Sequence, residues 1–269
     1  MDDFATLADA IRNADTAVAL TGAGISAPSG IPTFRGDDGV WEHFDEGQFT
    51  YGRFQRDPEG FWEDRLELQE AMFGGEYEPN AGHEALAAME RDGHLETVLT
   101  QNTDGLHRDA AASAVEGAET DGGADGDGEE NDSSVLEIHG NARRVRCTDC
   151  GRRREGDPIF ERAADGELPP TCDCGGVYKP DVVLFGEQLP GAVIQRAKSL
   201  ARESDVFLAI GSSLVVEPAA SLPRLAASSG ATVAVVNLES TPRDDVADIV
   251  RREDATEVLP RLRTLLEPR

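Results

Sequence analysis

Apolar residues recur at helical spacing over 3–13, where Phe4, Leu7, Ala8 and Ile11 share one face. A short apolar run follows at 16–21, TAVALT, and ends in a glycine turn, as a buried strand does. Further strands are predicted at 95–100, 135–139, 206–211 and 231–237. Helical patterns fall at 83–92, 190–203, 217–229, 243–251 and 256–267. Short apolar strands alternating with helices imply an α/β fold: a Rossmann-like, doubly wound parallel sheet covered on both faces.

Two segments break this rhythm. Residues 115–134 hold eight acids, no bases and no aromatics, and are expected to form a flexible insertion rather than a packed element. Asp125, Asp127 and Glu129 alternate there, but the spacing and closing glutamate of an EF-hand loop are missing. The second break, 143–180, is arginine-rich and contains all four cysteines. It stands between apolar strands, so it is expected to be a small module inserted in one main domain built from 1–142 and 181–269.

Composition narrows the function classes. With 39% hydrophobic and 29% charged residues, the 269-residue chain fits a soluble globular protein. No apolar run reaches the roughly 18 residues of a membrane span, and the acidic start MDDFATLADA lacks the order of a signal peptide, so a cytoplasmic location is expected. The net charge of −27 opposes nonspecific nucleic-acid binding and favours basic partners. Only two of the 25 bases are lysines, Lys179 and Lys198. This balance suits a halophilic protein working in concentrated salt, and equally an acidic protein from a GC-rich genome.

Candidate chemistry sits at strand ends and around the cysteines. Gly22, Gly24 and Ala27 follow the first strand in the G-x-G-x-x-G/A pattern of a dinucleotide turn. Pro28 and Pro32 prevent a long helix after it, and no strand-ending acid stands about 20 residues on, so an ordinary dehydrogenase is disfavoured. Cys147 and Cys150 form C-x-x-C, and Cys172 and Cys174 form C-x-C. The intervening span suits a zinc ribbon, and four thiolates make a closed, structural Zn²⁺ shell.

Several blocks together resemble the sirtuin family. They are GAGISAPSGIPTFRG (22–36) with GVW (39–41), TQNTDGLH (100–107), LEIHG (136–140), CTDC…TCDCGG, KPDVVLFGE (179–187), GSSLVVEPAA (211–220) and VVNLE (235–239). They run in family order over nearly the whole chain. The resemblance implies NAD-dependent removal of an acyl group from lysine, giving nicotinamide, free lysine and O-acyl-ADP-ribose.

It also implies roles. His139 is the candidate base, suited by a near-neutral pKa, with Asn102 beside it. The cofactor would be held by Gly22, Ala23, Gly24, Ser26, Phe34, Arg35, Trp41, Gln101, Asn102 and Asp104. Gly211, Ser212, Ser213, Asn237, Leu238, Glu239 and Ala255 would complete that set. Phe34 would exclude water from the reacting ribose. Val182, Val183, Phe185 and Gly186 would bind the acyl-lysine protein by strand addition. His43, His83 and His94 are expected to be structural or surface residues, and His107, within a family block, to take no part in proton transfer. Thr103 replaces the family's usual isoleucine, Pro28 its usual acid, and the second cysteine pair is one residue short.

Some family members recognise acidic acyl chains with a Tyr-x-x-Arg pair. Ungapped counting puts Arg65 at the tyrosine and Leu68 at the arginine; a shifted register gives Trp62 and Arg65. Ordinary deacetylation or broad deacylation is therefore the expectation. Other classes remain open at this point: an ADP-ribosyltransferase or NAD hydrolase on the same fold, or a zinc-ribbon nucleic-acid-binding protein.

Overall fold

The structure is a computed structural model that describes residues 3–35, 39–116 and 135–267. Its strands in chain order are β1 (Ala17–Thr21), β2 (Thr97–Thr100), β3 (Val135–Glu137), β4 (Gly140–Cys147), β5 (Arg153–Glu155), β6 (Tyr178–Val182), β7 (Val206–Ile210), β8 (Thr232–Val236) and β9 (Ile249–Arg251). The helices are α1 (Asp3–Asn13), α2 (Tyr51–Arg56), α3 (Pro58–Phe73), α4 (Ala81–Arg91), α5 (Leu106–Glu116), α6 (Asp157–Ala164), α7 (Gly191–Glu203), α8 (Leu222–Ser228) and α9 (Ala255–Leu266).

Six strands form one parallel sheet in the order β3-β2-β1-β7-β8-β9. Burial on both sides explains the unbroken apolar runs that marked these strands in the sequence. Ala19, Leu208 and Ala234 pack on one face with Leu7 of α1, Leu86 of α4 and Leu259 of α9. Val18, Phe207 and Val233 pack on the other with Leu200 of α7 and Leu222 of α8. The sheet is therefore doubly wound, and the direction of winding reverses between β1 and β7. Ligands of such sheets bind beyond the strands' carboxyl ends at this switch point.

A second, antiparallel sheet has the order β5-β4-β6. It contributes Val145 and Tyr178 to a separate core with Phe61 and Trp62 of α3 and Phe160 of α6. The Trp62 indole N–H donates to the Tyr178 carbonyl at 2.9 Å, which ties α3 to this sheet.

Two expected helices change. Residues 243–251 form a single tight turn at Asp244–Val246 and then β9. The Asp248 carboxylate accepts from the Val233 N–H, which pins this segment beside β8 as a strand. The helix expected over 217–229 shortens to α8 behind a one-turn segment at Ala219–Ser221, with Pro223 in its first turn. The first two residues of the expected insertion, Val115 and Glu116, end α5; the rest of it, with the alternating carboxylates at 125–129, lies outside the described residues. Among the described residues no helix is long and apolar enough to cross a membrane.

Candidate active site

A cleft of about 770 Å³ opens where the strand ends meet the antiparallel sheet and α3. Most of the sequence-predicted positions line it. From strand ends come Gly22, Ala23 and Gly24 after β1, Gln101 and Asn102 after β2, and His139 after β3. Gly211, Ser212 and Ser213 follow β7, and Asn237, Leu238 and Glu239 follow β8. Phe34, Arg35, Trp41, Val182, Val183, Phe185, Gly186 and Ala255 complete the predicted set on its walls. Ser26 and Asp104 do not reach the cleft surface; both are buried behind it.

The glycine turn is shaped first by its neighbour in the fold. A Cβ on Gly24 would stand 2.9 Å from the Gly211 Cα, and one on Gly22 would stand 2.8 Å from the Ser212 Cβ. Gly211 has φ +58°, and a Cβ there would come within 2.5 Å of the Ile25 nitrogen. The loops after β1 and β7 thus lie backbone to backbone, joined by Gly24 N–H donating to the Gly211 carbonyl at 2.7 Å. The prolines act as expected: the turn continues as two single-turn segments, Ala23–Ile25 and Ala27–Ser29, with no long helix.

Asn102 is locked from behind. Its side-chain amide donates to the Gly22 carbonyl at 3.1 Å and to Ser26 Oγ at 3.0 Å. Because Gly22 offers only an acceptor, the amide nitrogen must face it, which leaves the side-chain oxygen as the free functional end. Gln101 donates to Ser212 Oγ at 2.9 Å, bridging the ends of β2 and β7. The Asp104 carboxylate accepts from the Leu106 N–H and starts α5. Burial raises the pKa of Asp104, against hydrogen bonds from Leu106 and Ser26.

The Nδ1 of His139 lies 3.1 Å from the Gln101 carbonyl. A carbonyl only accepts, so Nδ1 carries the proton and Nε2 keeps its lone pair. Burial lowers the His139 pKa, with the Gln101 bond opposing. The ring is therefore neutral at physiological pH and able to accept a proton.

His83 and His107 are buried side by side, ring centroids 4.7 Å apart. His107 Nε2 is 2.9 Å from Thr21 Oγ1, and His83 Nε2 is 3.3 Å from Ser26 Oγ. Burial holds His83 at about 4 and drives His107 well below its ordinary value. His83 also closes a capping box with Asn80 at the start of α4. The ring is fully enclosed there.

The 182–186 segment is held tightly. Val183 N–H donates to the His139 carbonyl, Leu184 N–H to the Glu187 carboxylate, and Phe185 N–H to the Phe49 carbonyl. Lys179 clamps the same turn, donating to the Val182 carbonyl at 2.6 Å and pairing with Glu187 at 3.0 Å. Phe34 stacks on Trp41 at 5.6 Å, and Trp41 meets Phe185 edge-on at 5.3 Å. Arg35 pairs with Glu46 at 3.4 Å.

Arg65 and Leu68, counted above at the positions of the acyl-recognising pair, lie on the cleft wall with Met72 and Phe73 of α3, which the sequence did not single out. The signal for α3 was present: Asp57 caps its first turn by accepting from Gly60, with Pro58 at the first position.

Cys147, Cys150, Cys172 and Cys174 gather so that their sulfurs all lie within 4.8 Å of one another. Two pairs stand at 3.5 and 3.9 Å. Thiolates on one tetrahedral Zn²⁺ with bonds of about 2.3 Å are spaced by about 3.8 Å, so the donor set fits a structural zinc ion. The short C-x-C knuckle closes by a turn in which Gly175 N–H donates to the Cys172 carbonyl.

The Sir2 family model matches residues 22–124 and 125–218. An NAD-dependent protein deacetylase from Haloarcula marismortui is 56% identical over 256 residues, covering 94% of this chain and 91% of its own length. NAD-dependent protein deacylase 2 from Archaeoglobus fulgidus is 39% identical over 263 residues, covering 97% and 95%. Among solved structures, one described as the structural basis for the mechanism and regulation of Sir2 enzymes aligns with TM-score 0.79 and 38% identity, over 99% of this chain and 98% of its own. A Sir2 complex with a p53 peptide and NAD⁺ aligns with TM-score 0.78 and 33% identity, over 94% of each chain. Matches of this extent, on a fold whose strand ends carry the same motifs, show that the chain belongs to the Sir2 family.

Proposed function

We propose that this protein is an NAD-dependent protein-lysine deacylase. It transfers the acyl group of a modified lysine to ADP-ribose, releases nicotinamide, and consumes one water to balance the products. The carrying observation is His139: a neutral imidazole held by the Gln101 carbonyl, in the same cleft as Asn102 and the 182–186 segment. Its free Nε2 takes a proton from a ribose hydroxyl, the step that turns that hydroxyl into a nucleophile. The fixed Asn102 oxygen and the Gln101–Ser212 bridge orient the ribose. Gly22–Gly24 and Gly211–Ser213 receive the phosphates, Asn237 to Glu239 and Ala255 the adenosine end, and Arg35 exchanges Glu46 for phosphate. Ser26 and Asp104 act from behind the wall, through Asn102 and the start of α5. Phe34 on Trp41 shields the reacting carbon from water, which would otherwise divert the chemistry to NAD hydrolysis. The 182–186 segment and Gly186 hold the peptide, and the acidic surface steers lysine-rich proteins toward it.

The 143–180 insert is a zinc-bearing module with a structural role, and the reduced thiols it needs agree with a cytoplasmic location. The decisive experiment mixes protein, NAD and an acetyl-lysine peptide and follows nicotinamide and O-acetyl-ADP-ribose by mass. Nicotinamide release must depend on the acylated peptide. Equal release without peptide would make the protein an NAD hydrolase instead.

A further inference from the structure

Leu214 has φ +52°, and among the described residues it is the one non-glycine in the left-handed region. An L-residue is strained there, and leucine has no polar atom to offset the strain through a local hydrogen bond. Its side chain is 1% exposed and packs with Leu20, Ile138 and Leu222. Packing alone does not call for the turn, because the other members of that cluster fill it from ordinary φ. Strain of this kind persists where the surroundings hold it, and it gathers at ligand sites.

The turn acts on the cleft in two ways. It throws Val215 outward, where it is 51% exposed, and returns Val216 to the cleft wall. It also brings the Leu214 N–H back onto Ser212 Oγ, at 3.3 Å. Ser212 receives a second donor from β2. Gln101 Nε2 stands 3.3 Å from the Thr21 carbonyl and 2.9 Å from Ser212 Oγ. The Thr21 carbonyl only accepts, so the amide nitrogen faces both, and Ser212 accepts from Gln101. A serine hydroxyl has two lone pairs and one hydrogen. Leu214 and Gln101 occupy the lone pairs, and the hydrogen has no acceptor among the described residues. Ser212 lines the cleft, and its Cβ lies against the glycine turn, 2.8 Å from where a Cβ on Gly22 would stand. A donor-only hydroxyl beside a turn that admits close approach suits an anionic oxygen, for which such a bond is strong.

Building on the deacylase reading above, we infer that Leu214 is a positioning residue whose left-handed backbone locks the Ser212 hydroxyl as a hydrogen-bond donor to a phosphate oxygen of the dinucleotide. The strain at one residue fixes the polarity of another.

The test measures ADP-ribose affinity by calorimetry and KM for NAD, with melting temperature and zinc content checking the fold. Leu214→Ile keeps the apolar volume but refuses the turn, because a β-branched residue resists positive φ. It should weaken ADP-ribose and raise KM for NAD about tenfold, the worth of one hydrogen bond to a charged group, with KM for the acylated peptide unchanged. Leu214→Gly keeps the turn and loses the side chain. It should lower the melting temperature yet hold ADP-ribose affinity within about twofold of wild type. In a Ser212→Ala background, Leu214→Ile should weaken binding no further, since it acts through that hydroxyl. If Leu214→Ile does not fold, Ser212→Ala must itself weaken ADP-ribose about tenfold, equally with and without Leu214→Gly. Unchanged affinity in folded Leu214→Ile, equal losses in Leu214→Ile and Leu214→Gly, or a further loss in the Ser212→Ala background overturns the inference and leaves the deacylase reading standing. Wild-type protein that binds neither NAD nor ADP-ribose overturns both.

Discussion

The imidazole of His139 is oriented by the Gln101 carbonyl, 3.1 Å from Nδ1. One strand end thus sets the tautomer of a residue delivered by the next. His139→Ala should lower deacylation by about 10²–10⁴-fold while leaving the melting temperature within a few degrees. Because burial lowers the pKa of this ring, the acidic limb of the kcat profile should lie below 6.5. A limb at or above 7 would contradict the assignment.

Stability should fall with acid before the carboxylates protonate. His83 is held at about 4 against an ordinary 6.5, which corresponds to roughly 3 kcal/mol if unfolding restores the ordinary value. A lowered histidine pKa favours the folded state fully above 6.5 and loses that contribution as pH drops toward 4. His107 and His139 act in the same direction, and the raised Asp104 carboxyl acts in the opposite one. Thermal melts at fixed ionic strength should show Tm declining between pH 6.5 and 4.5; a flat profile would count against the buried pair.

The contact between the β1 and β7 loops leaves no room for side chains. Gly211→Ala puts an L-residue at φ +58° and a methyl 2.5 Å from the Ile25 nitrogen. The expected cost is about 2–4 kcal/mol of stability, with weakened NAD binding, measured by denaturant melts and calorimetry.

Metal analysis should find one zinc per chain, and Cys174→Ala should lose most of it. Folded, active protein without zinc would refute the four-thiolate site.

A net charge of −27 predicts that molar salt raises Tm over dilute buffer. No rise would leave the acidic composition without a role in folding.

The parallel strands were legible because strands buried on both faces are written as unbroken apolar runs, such as Val206–Ile210. The antiparallel sheet was not, because β4 carries three arginines among its eight residues. Arg144 pairs with Glu137 at 2.7 Å and Arg153 of β5 with Asp181 at 3.0 Å, so charge pairing does there what apolar alternation does elsewhere. The strand-end residues of the site could be read because each lies inside a contiguous motif. Arg65 could be read as a residue but not as a wall of the cleft. Its place depends on α3 packing against β6 through Trp62, a contact that no local pattern records.

One strand, β4, begins immediately after His139 and ends at Cys147. Its eight residues span at most roughly 26 Å, and its pairing with β6 shifts register between Gly140 and Val145. At the near end Gly140, at φ +82°, lies so close to β6 that a Cβ would meet the Asp181 carbonyl, and Val183 bonds back to His139. A disturbance at the thiolate end therefore reaches the 182–186 segment and the imidazole together, while the glycine turns after β1 and β7 rest on a different sheet. Partial loss of zinc should accordingly announce itself as poorer use of the acylated peptide before any change in dinucleotide affinity.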